Sequence, residues 1–261
     1  MQAIWKGAIS FGLISIPIRV YGATEEKTLR FNMLHAEDKG RVRFNRTCTE
    51  CGKDNLTKDD MIRAYEYEKG SYVTFTDDEL DAVEVPTSRT IEVVNFVPTD
   101  QIDPIFYNRS YYLAPEDLGV KAYALLRRAL QETDRVALAK VAMRDKERLG
   151  TLRVNGKAIV LETMYWPDEI REPAFPELDR ESNVRDQELA MAHTLIESLT
   201  EDFKPGDFKD TYREALLSAV ERKIAGQEIV APVAHDEEAP VADLMEALQK
   251  SLEEVQSRRT G

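Results

Sequence analysis

Cysteine is nearly missing from this 261-residue chain: Cys48 and Cys51 are all it has, and the two residues between them leave no long loop for a disulfide to close. That excludes a disulfide-stapled secreted scaffold and fits a reducing interior. Histidine is almost as scarce, with His35, His193 and His235 only, and their spacing recommends no Ser/His/Asp or Cys/His arrangement. No run reaches the roughly 18 uncharged apolar residues of a membrane helix. The opening MQAIWKGAISFGLISIPIRVYG is interrupted by Lys6, Gly12 and Pro17, and is expected to be kept as folded structure, not removed as a signal peptide. A phosphate loop is also lacking. The stretch from Gly150 to Ala158 has five residues between its glycines where four are needed, and Ala158 stands where a hydroxyl belongs. The acidic pairs Asp59-Asp60 and Asp77-Asp78 fall at turns or helix starts, where carboxylates cap and solvate. No enzymatic activity is expected, and a cytoplasmic globular protein, nucleoid-associated if it holds DNA, is.

What the chain has in excess is acid, a formal net charge of -13, which by itself repels phosphate. The distribution says otherwise. Residues 121–157 hold ten lysines and arginines against four acids, and residues 27–63 hold nine against six. Lys39 to Arg46 carries four bases and no acid. By contrast, residues 64–120 hold three bases against twelve acids, and residues 168–261 hold eleven against twenty-three. Two basic segments thus sit inside an acidic molecule. A solvated face is the plain reading of any charge run; segregation and placement on strands favour phosphate contact, which positions a duplex without reading its sequence.

Periodicity supplies the frame. AISFGLISIPIRVYG suits short strands and tight turns, YVTF follows a Lys69-Gly70 turn, and RTIEVVNFVP is a strand closed by Pro98. Thr76 with Glu79 three residues on has capping-box spacing. Between Leu118 and Thr133, Tyr123, Leu126 and Leu130 recur at helical spacing. VALAKVAM and AIVLETMYW are strand-like, and Asn155-Gly156 marks a hairpin between TLRV and KAIV. From Asn183, the expected cap, one apolar stripe runs through Leu189, Ala192, Ile196, Leu199 and Phe203. Pro205-Gly206 breaks it, and a second runs through Phe208, Tyr212, Leu216, Val220 and Ile224 to Gly226. Residues 227–240 read as a linker, and VADLMEALQKSLEEVQSRR as a short amphipathic helix that needs something to dock on.

Cys48 and Cys51 supply two of the four tetrahedral ligands zinc takes. The other two cannot be cysteine. His35 lies upstream and is a candidate third ligand; His193 and His235 belong to the helix and the linker. Free thiols in a turn are the plainer reading, so no cofactor is expected, and zinc on Cys48 and Cys51 stays open with its ligand set incomplete. A redox pair is disfavoured, since neither the preceding strand nor the following helix start is there.

AIWKGAISFGLISIPIRVY, LHAEDKGRVRF, TCTECG, FVPTDQIDPIFYNRSYYLAP, ETDRVALAKVAMRDKERLGTLR and MYWPDEIREP, in that order from residue 3 to about residue 225, resemble bacterial Ku, the homodimeric DNA-end-binding family of non-homologous end joining. The tail ADLMEALQKSLEE resembles the short helix that ends many bacterial members. The resemblance implies an α+β fold: a central Ku-type β-barrel core over residues 1–180, with a degenerate zinc-ribbon-like bridge inserted at about 35–85. A C-terminal helical arm at 181–226, the 227–240 linker and a short helix at 241–261 would follow. Two subunits would form a ring that threads onto a duplex end and contacts its sugar-phosphate backbone. Lys39, Arg41, Arg43 and Arg46 would line it from the bridge; Arg127, Arg128, Lys140, Arg144, Lys146, Arg148, Arg153 and Lys157 would line it from the basic helix and meander. The implied partners are double-stranded DNA ends, a second copy of the chain and an ATP-dependent DNA ligase, ligase D in the resembling systems, with no membrane. In the bridge, either the ribbon persists without metal or His35 or the partner subunit completes its ligand set. Since the chain ends in only Arg258 and Arg259, no extra DNA contact is expected of a basic tail. The rival reading is a protein-interaction scaffold with a degenerate ribbon and no DNA.

Overall fold

Gly12 and Leu13 turn the chain between β1 (Trp5–Phe11) and β2 (Ile14–Gly22), with Gly12 at a φ of 57° that glycine adopts without penalty. A two-residue loop fixes the register, so Ile9 faces Ile16 and Lys6 faces Arg19. Ile16, Ile18 and Val20 point inward while Ser15, Pro17, Arg19 and Tyr21 point outward, the period of two that the sequence displays. The computed structural model describes residues 1–83, 89–143, 146–228 and 244–260. They belong to two compact units, Met1–Glu172 and Pro173–Gly261.

In the first unit, among the described residues, seven strands close into a barrel in the order β1, β2, β6 (Tyr107–Pro115), β9 (Ala158–Met164), β8 (Lys146–Asn155), β7 (Arg135–Met143), β5 (Thr90–Pro98). Every pairing is antiparallel except the seam, where Ala8, Ile9 and Ser10 run parallel to Thr90, Ile91 and Glu92. Bulges at Val93/Asn95 and Tyr107/Arg109 accompany the bending that closure demands. Ile9, Ile18, Ile91, Leu113, Val141, Leu152, Ile159 and Leu161 fill the interior. α2 (Val120–Thr133) plugs one end with Tyr123, Leu126 and Leu130, the stripe its spacing predicts. Asp134 ends the helix in the left-handed region, and β7 starts at the next residue.

Strands expected from alternation are present as β1, β2, β4 (Ser71–Phe75), β5, β7 and β9, and the Asn155-Gly156 hairpin joins β8 to β9. β3 (Arg63–Glu68), which pairs with β4 across Lys69-Gly70, and β6 are strands that periodicity does not single out. Every residue of β3 is exposed, so nothing enforces an apolar alternation on it. In β6 the bulge at Asn108 interrupts the period. The capping box forms as spaced: Thr76 Oγ1 accepts from the Glu79 N–H at 3.2 Å, and Glu79 Oε2 accepts from the Thr76 N–H at 2.8 Å, opening α1 (Asp77–Asp81).

In the second unit, α3 (Asp186–Leu199) begins later than the expected Asn183 cap. Arg185 is the capping position, because Glu188 three residues on accepts from its N–H at 2.8 Å. Phe203 and Phe208, the inner ends of the two expected stripes, lie outside α3 and α4 (Thr211–Ile224) and stack across the Pro205-Gly206 turn with ring centroids 5.8 Å apart. Asp210 caps α4 through the Arg213 N–H at 2.9 Å. α5 (Leu244–Thr260) packs on α3, which supplies the surface its marginal length requires. Most of the expected linker, 229–240, lies outside the described residues.

Tyr123 ties α2 to the barrel. Its hydroxyl donates to the Leu113 carbonyl at 2.6 Å and accepts from the Ile159 N–H at 2.6 Å, standing in for a ladder bond where β6 and β9 meet. Burial pushes this phenol's pKa up, so it stays protonated and keeps donating. Tyr123→Phe leaves two buried backbone groups unpaired and is expected to cost about 1–3 kcal/mol in urea unfolding. Ionising the buried phenol destabilises the fold as pH rises above the ordinary tyrosine value of 10.0. That alkaline loss should vanish in the variant.

Candidate nucleic-acid interface

In the segment expected to form the bridge, the chain turns tightly at residues 35–40. Asp38 Oδ1 accepts from the Gly40 N–H at 2.8 Å and is bonded to His35 Nδ1 at 2.9 Å, while the Gly40 carbonyl accepts from the His35 N–H at 2.8 Å. These bonds, the Gly40 N–H foremost, hold the Asp38 carboxyl below its usual range. Lys39 sits at the tip with φ 59°, its Nζ on the Ala36 carbonyl at 2.6 Å. A β-bridge between Leu34 and Arg41 brings the chain back, and the Leu56 N–H donating to the Arg46 carbonyl at 2.9 Å closes the next loop at its base. Arg41, Arg43 and Arg46 therefore hang from a backbone fixed at both ends. All three are exposed and have no ion-pair partner among the described residues. Asp60, held by Lys53 Nζ at 2.5 Å and by the Thr57 hydroxyl and N–H, has its carboxyl pushed down to about 2, so this part of the bridge stays knotted until the pH falls toward that value.

On the barrel the bases divide. Arg127 reaches the Gly156 carbonyl at 3.3 Å, which places it beside Lys157 at the β8–β9 hairpin. Arg128 is paired with Glu132 at 2.6 Å, Lys140 with Glu147 at 3.2 Å, and Arg153 with Glu162 at 2.5 Å. The first pair is exposed and exchanges readily with another anion, and in the second an exposed Lys140 meets a half-buried Glu147. The third is different in kind: Glu162 is 5% exposed, accepts also from Ser110 Oγ at 2.5 Å, and commits Arg153 to the barrel wall. Arg148 and Lys157 carry no ion pair among the described residues. Arg144 and the side chain of Lys146 lie outside the described residues.

The charge-rich stretch 121–157 is thus not one patch. β8 carries Arg148 and Asn155 seven residues apart, roughly 23 Å along the strand. Arg127, Arg128 and Lys157 gather at the α2 end of the barrel, whereas Arg148 lies toward the other. Lys39, Arg41, Arg43 and Arg46 form a separate group in the bridge. The hairpin also juxtaposes two bases that no charge run reveals, Lys6 and Arg19, directly opposite on the outward face of β1 and β2. Counting back from the two-residue turn at Gly12 would have found them.

Residues 10–191 match the family model described as the Ku70/Ku80 beta-barrel domain. The chain belongs to the Ku family. Relatives named non-homologous end joining protein Ku include those of Frankia casuarinae (45% identical, aligning 100% of this chain with 66% of that protein), Bacillus subtilis (43%, aligning 97% with 82%) and Heliobacterium modesticaldum (44%, aligning 99% with 94%). The chain therefore spans just under two thirds of the Frankia protein and most of the other two.

Within this Ku-family chain the Cys48–Cys51 turn is preformed. The Cys48 carbonyl accepts from the Gly52 N–H at 3.0 Å, Gly52 takes φ 67°, and the Cys48 N–H donates to the Lys53 carbonyl at 3.0 Å. The N–H groups of Cys51 and Glu50 aim at the Cys48 sulfur and lower its thiol pKa. Among the described residues no group of three or more His, Cys, Asp or Glu is placed together as zinc's ligands would be. The lowered thiol ionises at lower pH than an ordinary cysteine. Iodoacetamide should accordingly label Cys48 at a lower pH than it labels a cysteine in an unfolded peptide, as read by mass spectrometry of timed digests.

Proposed function

We propose that the chain acts as a homodimeric ring that binds double-stranded DNA ends without sequence preference. In that role it protects and bridges the ends in non-homologous end joining and recruits an ATP-dependent DNA ligase of the ligase D type. The observation that carries this reading is the exposed Arg41, Arg43 and Arg46 group, without an ion-pair partner among the described residues, in a Ku-family chain nearly all of which aligns with proteins named for end joining. Exposed guanidiniums with no internal carboxylate are ready for phosphate oxygens, which they grip in a fork without reading bases. The role requires no bond to be made or broken by the protein.

Dimer formation is supported by the second unit. Leu189, Ile196 and Leu199 of α3 and Tyr212, Leu217 and Ile224 of α4 are exposed in the single chain, and neither helix buries a side chain. Amphipathic helices with apolar faces in water call for a partner surface, and a second copy presents the same stripes. The acidic remainder of the chain keeps duplex from lying against other surfaces. The ligase contact is assigned to the tail, residues 227–261, or the adjacent arm.

Duplex binding measured across a salt titration tests the reading. The logarithm of the binding constant should fall linearly with the logarithm of salt concentration, with a slope of about -0.9 per phosphate contacted. Arg41→Glu, Arg43→Glu and Arg46→Glu together should abolish most of that affinity while leaving the dimer intact by light scattering. A scaffold without DNA would show no duplex affinity to lose. Separately, deleting residues 227–261 should reduce stimulation of the ligase with duplex binding retained; unchanged stimulation would remove the tail from the contact.

A further inference from the structure

Where α2 closes the end of the barrel it leaves an apolar groove of about 380 Å³ against the β1–β2 hairpin and β5. Ile16, Leu126 and Leu130, all buried, are its floor; Phe11, Ile14, Phe96 and Leu125 stand around them. These upper side chains are open to water. Leu125 is 63% exposed, and the Phe11 and Phe96 rings meet edge to face at 5.5 Å beside it. Leu13, at the tip of the hairpin, is wholly exposed. Turns ordinarily carry polar residues, and apolar side chains gathered on a surface mark a place where something binds.

The charges around the groove say what kind of partner it fits. Arg135 is its one charged lining residue among the described residues, exposed and without an ion-pair partner there. Asp134 beside it lines the neighbouring hollow, on the Arg153 side. The Thr133 hydroxyl is already engaged, donating to the Ala129 carbonyl at 2.8 Å. On α2, Lys121 and Arg128 lie four residues before and three after Leu125, so both flank it on the helix surface. Glu132 holds Arg128, whereas Lys121 has no ion-pair partner among the described residues. Duplex DNA has phosphates for these bases and nothing to cover Phe11, Phe96 and Leu125. A second copy laid patch on patch would set Lys121 and Arg135 against the same bases. An amphipathic helix with an apolar stripe and flanking carboxylates satisfies both halves of the surface. Ala122 to Thr133 runs roughly 16 Å along α2, about three turns, enough for anchors spaced by three and four residues.

We infer that this groove docks an acidic amphipathic helix of another protein. Its leucine or aromatic side chains seat between α2 and the Phe11–Phe96 pair, and its carboxylates meet Arg135 and Lys121. The inference goes beyond the DNA-end-binding reading and does not depend on it, since barrel and α2 alone build the groove.

The test is phage selection of random peptides of about 15 residues, long enough to form a helix, on the immobilised full chain, with depletion on Leu125→Glu. Selected peptides are synthesised and their affinities measured by fluorescence anisotropy. They should carry apolar residues at spacings of three and four among aspartates and glutamates. Leu125→Glu should weaken them about tenfold or more, the loss of one buried leucine contact. Arg135→Glu should weaken them about fivefold. Both positions are exposed, and each variant is checked for an unchanged thermal midpoint. Should Leu125→Glu shift the midpoint, Arg135→Glu decides alone. Failure to select any peptide, selection of lysine- and arginine-rich peptides, or affinities indifferent to both variants would overturn the inference. So would a lower mass of Leu125→Glu by light scattering, which would make the patch a contact between copies. A lost duplex affinity in Leu125→Glu would equally overturn it, placing the patch in the nucleic-acid surface.

Discussion

Closure of the barrel is the constraint from which the rest of the first unit follows. Six antiparallel pairings make a curled sheet; the short parallel seam between β1 and β5 turns it into a barrel and leaves no open edge. Gly7 lies where the seam is tightest, because a side chain there would overlap the Trp5 indole and the Arg89 carbonyl oxygen. The Ala8 N–H donates to that same carbonyl at 3.0 Å. Once closed, the wall has an inside filled almost wholly by apolar residues and an outside on which charge varies more freely. Every base on a strand is then assigned to the wall or to one of the two ends by strand parity and direction.

The electrostatics follow from that assignment. An acidic chain repels phosphate on average, so any anion site must be local and short of carboxylates. The bridge arginines meet this condition in having no ion-pair partner among the described residues. Several barrel bases do not: Arg128, Lys140 and Arg153 already have carboxylate partners, and the Arg153 pair is the most deeply committed because Glu162 is buried. Removing one member of a buried pair strands the other's charge, so Arg153 reads first as a strut of the wall. Unpaired and surface-paired bases are the ones available to a polyanion.

Much of this was legible in the residues. Alternation in AISFGLISIPIRVYG, the Asn155-Gly156 turn and the 123/126/130 stripe marked β1, β2, the β8–β9 hairpin and α2, because each is a local pattern enforced by one buried face. The resemblance supplied the barrel, which no local pattern encodes: the β1–β5 seam joins residues some eighty positions apart in the chain. β6 escaped notice because its bulge breaks the period, and the Asn183 cap was wrong because Glu188 selects Arg185 three residues before it. The run of bases between 121 and 157 looked like one surface, but a charge run records neighbours in sequence, and antiparallel strands separate those by the length of the barrel. The Lys6–Arg19 pair shows the converse, two bases brought together by a hairpin that a linear scan holds thirteen residues apart.

The central claim is that a closed ring selects ends by topology, since it can be loaded only where a duplex terminates. The most direct measurement is binding of the purified protein to a linear duplex and to the same duplex covalently closed into a circle, under matched salt. The account predicts tight, salt-sensitive binding to the linear form and none to the circle. Equal affinity for both would contradict it, leaving the bases as an ordinary phosphate-binding surface.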